Sequence, residues 1–135
     1  EEQRNEYGPV KYRFMLGALY TAEDYLHAQL LRQRICREVA EVFKRVDLLA
    51  TPSMPRPAPV QHKMGHPFSS LGGVNFLVVF NSTGHPAMSV PCGFTSEGLP
   101  VGLQLAARPF DEVTLLQAGH AYQQATDWHT HHPQL

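Results

Sequence analysis

Ser89-Val90-Pro91-Cys92-Gly93-Phe94 and Gly98-Leu99-Pro100-Val101-Gly102-Leu103-Gln104-Leu105, joined through Thr95-Ser96-Glu97, decide how this chain folds. Both are short apolar runs punctuated by glycine and proline, and the residues between them have turn chemistry, so the pattern predicts two strands paired as a hairpin. Within the first run, Cys92 reads as a small packed residue. The nearest histidine, His85, is separated from it by Pro86 and Pro91, so the local sequence offers that thiol no base.

Working outward, an apolar run from Val74 through Phe76, Leu77, Val78, Val79 and Phe80 follows the Gly72-Gly73 pair. Its length fits either a strand or a short buried helix. Leu48-Leu49-Ala50 ends at Thr51-Pro52, which suits a buried strand stopped by proline. Residues 52–67 then form a proline-rich loop containing Pro52, Pro55, Pro57, Pro59 and Pro67. The Pro55-x-Pro57-x-Pro59 spacing also gives a rival reading as a polyproline ligand in a non-enzymatic binding module.

Helices bracket this region. Thr21 is an N-cap with Asp24 at N3, and Ala28, Leu31, Ile35, Val39, Val42 and Val46 repeat at three- and four-residue spacing, which predicts one long amphipathic helix. Arg34 with Glu38 and Arg37 with Glu41 are four-residue pairs on its outer face. Near the other end, Asp111 caps a helix predicted from about Val113 to about Trp128. Its buried stripe is Leu115, Ala118, Tyr122 and Ala125, with Gly119 permitting close approach.

The chain has 135 residues, a net charge of −1 and a pI near 6.8, values that carry no electrostatic footprint for nucleic acid or an anionic membrane. No nucleic-acid partner and no membrane partner are therefore expected. Charged residues make up 17% of the chain, against about 25% in an ordinary soluble domain. Residues 64–135 hold a single Lys or Arg and four Asp or Glu, so the second half reads as sheet buried inside a larger molecule. The two cysteines do not make a disulfide framework, which points to a reducing, cytoplasmic setting.

Motifs for metal, dinucleotide or phosphate binding are missing: there is no His-Glu-x-x-His, Cys-x-x-Cys, Gly-x-Gly-x-x-Gly or Gly-x-x-x-x-Gly-Lys. No cofactor and no metal site are expected. His129, His131 and His132 read as solvated tail residues, and the prolines around His62 and His66 argue against a helical ligand pair. Asn81-Ser82-Thr83 fits a glycosylation acceptor, but an unmodified asparagine capping a turn is the simpler reading.

Asn81-Ser82-Thr83-Gly84-His85-Pro86-Ala87, the Ser89–Leu105 hairpin, Arg108-Pro109-Phe110-Asp111-Glu112 and Trp128-His129 occur in the order found in the amidase signature family. Met15-Leu16-Gly17-Ala18-Leu19, the helix from Gln29 to Arg37 and the Val46–Pro59 segment also resemble that family. The likeness implies an α/β fold in which residues 1–135 form the C-terminal part of one α/β/α layered domain with a central mixed sheet. It favours a helix before Asn81 and a loop at 52–67 that lines the substrate side of the sheet.

The resemblance implies an amidase hydrolysing a small-molecule carboxamide to carboxylate and ammonia or amine through a serine acyl-enzyme. Such enzymes use a lysine, a serine held by a cis peptide and a serine nucleophile. None of these can be assigned to a numbered position here, so no catalytic residue is expected in this chain, and it should be inactive alone. The implied partner is the N-terminal portion of the same amidase, with a homodimer also considered; an amidotransferase subunit is the alternative activity. Arg13, in Lys11-Tyr12-Arg13-Phe14, is the expected substrate-contacting cation, and His85 is expected at a pocket rim.

Overall fold

The computed structural model describes residues 15–58 and 76–132. Helix α1 spans Ala22–Phe43, strand β1 Leu48–Pro52, helix α2 Phe76–Thr83, strand β2 Ala87–Phe94, strand β3 Pro100–Ala107 and helix α3 Glu112–Ala125. A 3-10 turn, Trp128–Thr130, follows. Arg13, His62, His66 and the part of the loop beyond Ala58 lie outside the described residues.

The three strands form one sheet in the order β1-β3-β2, and both pairings are antiparallel. The predicted hairpin is β2 and β3. Its turn is closed by the amide of Thr95 donating to the carbonyl of Leu99, with Gly98 at φ 79° supplying the left-handed residue. Pairing runs from Pro91 opposite Gly102 directly to Gly93 opposite Val101, so Cys92 is the extra residue of a β-bulge. Where the resemblance implies a mixed sheet, the described sheet is antiparallel because β2 returns through a tight turn and β1 pairs with the far edge of β3.

Alternation sorts the sheet's side chains onto two faces. Leu48, Met88, Val90, Leu103, Leu105 and Ala107 share one face, and α3 covers it with Leu115 and Tyr122. Gly119 lies against Met88: a Cβ there would sit 2.6 Å from the Met88 methyl carbon, which is the close approach expected of that glycine. On the opposite face Leu49 and Ala106 meet Phe43 and Val39 of α1 and Phe80 of α2. Helices therefore flank both sides of the sheet.

The helix ends follow local chemistry. Thr21 and Asp24 form a reciprocal capping box at the start of α1. At its other end Arg108 donates from Nε to the Phe43 carbonyl at 3.0 Å and from a terminal nitrogen to the Val46 carbonyl at 3.3 Å and to Asp47 at 2.8 Å. The guanidinium thus ties the last residue of α1 and the turn after it to the strand β3 exit. Arg34 pairs with Glu38 at 2.9 Å as expected, but Arg37 turns to the Gln33 carbonyl and Glu41 accepts from Lys44.

Three local expectations change. Asn81 is exposed inside α2 and caps nothing; the helix instead ends at Gly84, whose φ of 77° admits glycine readily. Helix α3 stops at Ala125, short of Trp128, because Thr126 is extended and its hydroxyl donates to the Tyr122 carbonyl at 2.9 Å. The chain beyond it is also not simply solvated. Trp128 and His131 pack on Phe94 with ring centroids 6.2 and 5.8 Å away, fastening the 3-10 turn to the hairpin.

Candidate functional site

The α1/α2 face of the sheet carries a polar strip that sequence inspection does not assemble. Register places Thr51 and Ser89 on either side of Gln104. Gln104 is buried and its amide donates to the Thr51 hydroxyl at 3.0 Å and to the Phe76 carbonyl at 3.4 Å. One turn of the strand pattern further, the hydroxyls of Ser53 and Ser89 meet at 2.6 Å across Gly102. A Cβ on Gly102 would stand 2.8 Å from both oxygens, so only glycine leaves room for the pair. The one advance signal was Gln104 itself, a polar residue set between Leu103 and Leu105.

Beyond this strip the chain opens a cavity of about 390 Å³, walled by residues 53–58 on one side and Pro100, Val101 and Gly102 on the other. The described part of the proline-rich loop, residues 53–58, forms one wall of this cavity. Ser53 anchors the wall twice: its amide donates to the Gly102 carbonyl at 2.9 Å and its hydroxyl is held by Ser89. Among the described residues no lysine or histidine hydrogen bonds to either serine, and the pair shapes the wall.

His85 sits elsewhere, in a groove of about 430 Å³ bordered by Ala40, Phe43, Lys44, Arg108 and Pro109. Its ring stacks on Phe43 at 5.0 Å and meets Phe80 edge-on at 6.3 Å. Burial disfavours the charged imidazolium and lowers its pKa from the ordinary 6.5. Thr83 gives its hydroxyl proton to the Val79 carbonyl and can then only accept from His85 Nδ1, 2.8 Å away. The neutral ring therefore carries its proton on Nδ1, and Nε2 is buried without a partner among the described residues. The structure does not bring His85 to the loop-lined cavity.

Cys36 and Cys92 are both free thiols, and Cys92 Sγ lies 3.5 Å from the Val101 carbonyl oxygen. Among the described residues no cluster of His, Cys, Asp or Glu is arranged to hold a metal ion, and no helix is long and apolar enough to cross a membrane.

A sequence model of one family, described as Amidase, matches residues 3–116. The chain belongs to the Amidase family. It is 48% identical to a Glutamyl-tRNA(Gln) amidotransferase subunit of Chloroflexus aggregans, over all of this chain and 29% of that protein. It is 42% identical to an amidase of Pseudomonas putida, over 93% of this chain and 28% of that one. In three dimensions it superposes on 6-aminohexanoate cyclic dimer hydrolase with a TM-score of 0.79 and 25% identity, covering 93% of this chain and 29% of the other. The chain thus spans less than a third of the length of these amidase relatives.

The Chloroflexus protein corrects one expectation. Its name ties that subunit to glutamyl-tRNA(Gln), so a near-neutral charge does not exclude a nucleic-acid partner in this family. The physical reason is that net charge reports on one polypeptide. In a multi-subunit assembly the basic, RNA-facing surface can lie on a different chain.

Proposed function

We propose that the complete protein containing this chain cleaves a carboxamide through a serine acyl-enzyme, and that residues 1–135 are the C-terminal portion of its single amidase-signature domain. The observation carrying this reading is the cavity at the open end of the polar strip, walled by the loop that the family resemblance puts on the substrate side. The serine nucleophile, its partner serine and the lysine would come from outside this chain. Here the nucleophile's hydroxyl adds to the amide carbonyl, the amine leaves with a proton, and water releases the acid. This chain would contribute the wall, with Arg13 as the substrate-side residue to test first; His85, expected at the pocket rim, lies buried in the separate groove beside Phe43 and Arg108 and is not part of that wall.

The test is complementation. Supplying the remainder of the parent protein should yield hydrolysis of a simple carboxamide that persists after chelator treatment. Loss of that activity with EDTA and its rescue by zinc would overturn the serine mechanism.

A second reading has its own support, the 48% identity to an amidotransferase subunit over the whole chain. In it the same amide cleavage releases ammonia to a glutamyl-tRNA acceptor on a partner subunit. Glutamine-dependent amidation in the reconstituted complex, with little free hydrolysis, would favour it.

A further inference from the structure

We propose that Arg56 is a specificity-determining residue that holds a carboxylate on the substrate, so that the cavity selects amides with an apolar body and one anionic end. The inference rests on the amidase reading and names the substrate class for it. Four observations carry it. Arg56 borders the cavity between the loop and β3, and among the described residues it is the only charged one in the lining. Among the described residues its side chain makes no hydrogen bond or ion pair, a state it shares with Arg45, which lies away from the cavity, whereas Arg32, Arg34, Arg37 and Arg108 each have an acceptor. The rest of the lining is largely apolar, with Met54, Pro55, Pro57, Pro100 and Val101, and its polar side chain, Ser53, is already committed to Ser89.

The fourth observation is the backbone. Pro55 and Pro57 flank Arg56, fixing their own φ and confining Arg56 to extended conformations, so little backbone entropy is lost when its side chain engages a ligand. A guanidinium presents a planar fork that matches a carboxylate with two parallel hydrogen bonds. A single cation in the lining balances a monoanion such as a carboxylate and falls short of a dianionic phosphate.

The experiment uses the complete parent protein and two matched substrates, the monoamide of octanedioic acid and its methyl ester. The quantity read is the ratio of kcat/KM for the acid to that for the ester, in wild type, Arg56→Met and Arg56→Lys. Loss of a charge-assisted bond should lower that ratio ~10- to 100-fold in Arg56→Met, with Arg56→Lys intermediate because it keeps the charge and loses the fork. An unchanged ratio in Arg56→Met overturns the proposal. Calorimetric binding of octanedioate separates this from the parent reading: ~10-fold weaker binding to Arg56→Met supports the role of Arg56 whether or not any amide is turned over. Equal affinity of the two proteins refutes it, while absence of amide turnover by wild type would count against the hydrolase reading alone.

Discussion

Helices α1 and α3 both have apolar residues at helical spacing, yet they end up in different environments. Helix α3, with 14 residues, buries Leu115 and Gly119 against the sheet and brings Tyr122 with them. Helix α1, with 22 residues, buries only Phe43 at its last turn. Along the rest of α1 the predicted stripe is open, Leu31 being 49% exposed and Ile35 41%, with Tyr25, Leu26 and Leu30 exposed beside them. Periodicity records which face a helix is built to bury. Burial itself requires the surface that meets it, and for most of α1 that surface is not among the described residues.

The largest effects should come from breaking this contrast. In the complete protein, Leu115→Ala is expected to cost ~3 kcal/mol, the usual cost of a cavity in a packed core. If the remainder of the domain covers α1, Leu31→Ala should cost at least ~2 kcal/mol there as well. Denaturant unfolding of both variants measures this. A loss below ~0.5 kcal/mol for Leu31→Ala would make α1 a solvent-exposed helix and remove the main structural argument for a missing partner surface. The isolated chain, with its apolar face and sheet edges uncovered, should bind a hydrophobic dye that the complete protein does not.

The parts of the fold legible in the sequence were those whose cause is local. The Thr95–Gly98 turn, the Thr21–Asp24 capping box and the Asp111 cap are written in neighbouring residues, and each forms as read. Period alone left the run before Asn81 undecided between strand and helix; the family likeness favoured the helix that α2 provides. The site was less legible because it is made by register. Ser53 and Ser89 are far apart in sequence and meet only because both β1 and β2 pair with β3. Likewise Arg108, read only as part of a motif, proves to be the clasp on the end of α1, a role set by three acceptors from residues 43–47.

Two glycines sharpen the comparison at the next level. At Gly102 an added Cβ would press on two hydroxyl oxygens 2.8 Å away that are locked to each other, so Gly102→Ala should cost ~1–3 kcal/mol and weaken the loop wall. At Gly119 the obstacle is the flexible end of Met88, and alanine gains up to ~1 kcal/mol of helix propensity over glycine. Gly119→Ala should therefore be near neutral. Thermal unfolding of the two variants tests the order; a larger loss at Gly119 would show that the α3 contact is less adaptable than the loop wall.

His85 predicts a pH effect of smaller size. Its folded-state pKa is depressed below 6.5 by burial, so the unfolded chain binds the proton more readily. Stability should be highest above 6.5 and fall as the pH drops from there toward the folded-state pKa, levelling off below it. Lys44 and Arg108 are the charged residues that border the same groove. His85→Phe keeps an aromatic ring against Phe43 and removes the titration. The difference in urea midpoint between wild type and His85→Phe should therefore change across this interval. A constant difference would mean that His85 stays solvated in the complete protein.

The smallest effect is expected at the end of the chain, where α3 gives way to the 3-10 turn. His131 touches Phe94 and Trp128 and lies 3.9 Å from Asp127, but its side chain remains 46% exposed, so solvent weakens that polar contact and the ring gives up little area when removed. His132 is exposed. Changing both to serine should shift stability of the complete protein by no more than ~0.5 kcal/mol and leave amide turnover within about twofold of wild type. Trp128, whose ring also packs on Phe94, stays in place, which is why the turn should hold. A large activity loss in the double variant, reversed by added divalent metal, would show that the tail histidines serve the site and that the 3-10 turn does more than fasten the hairpin.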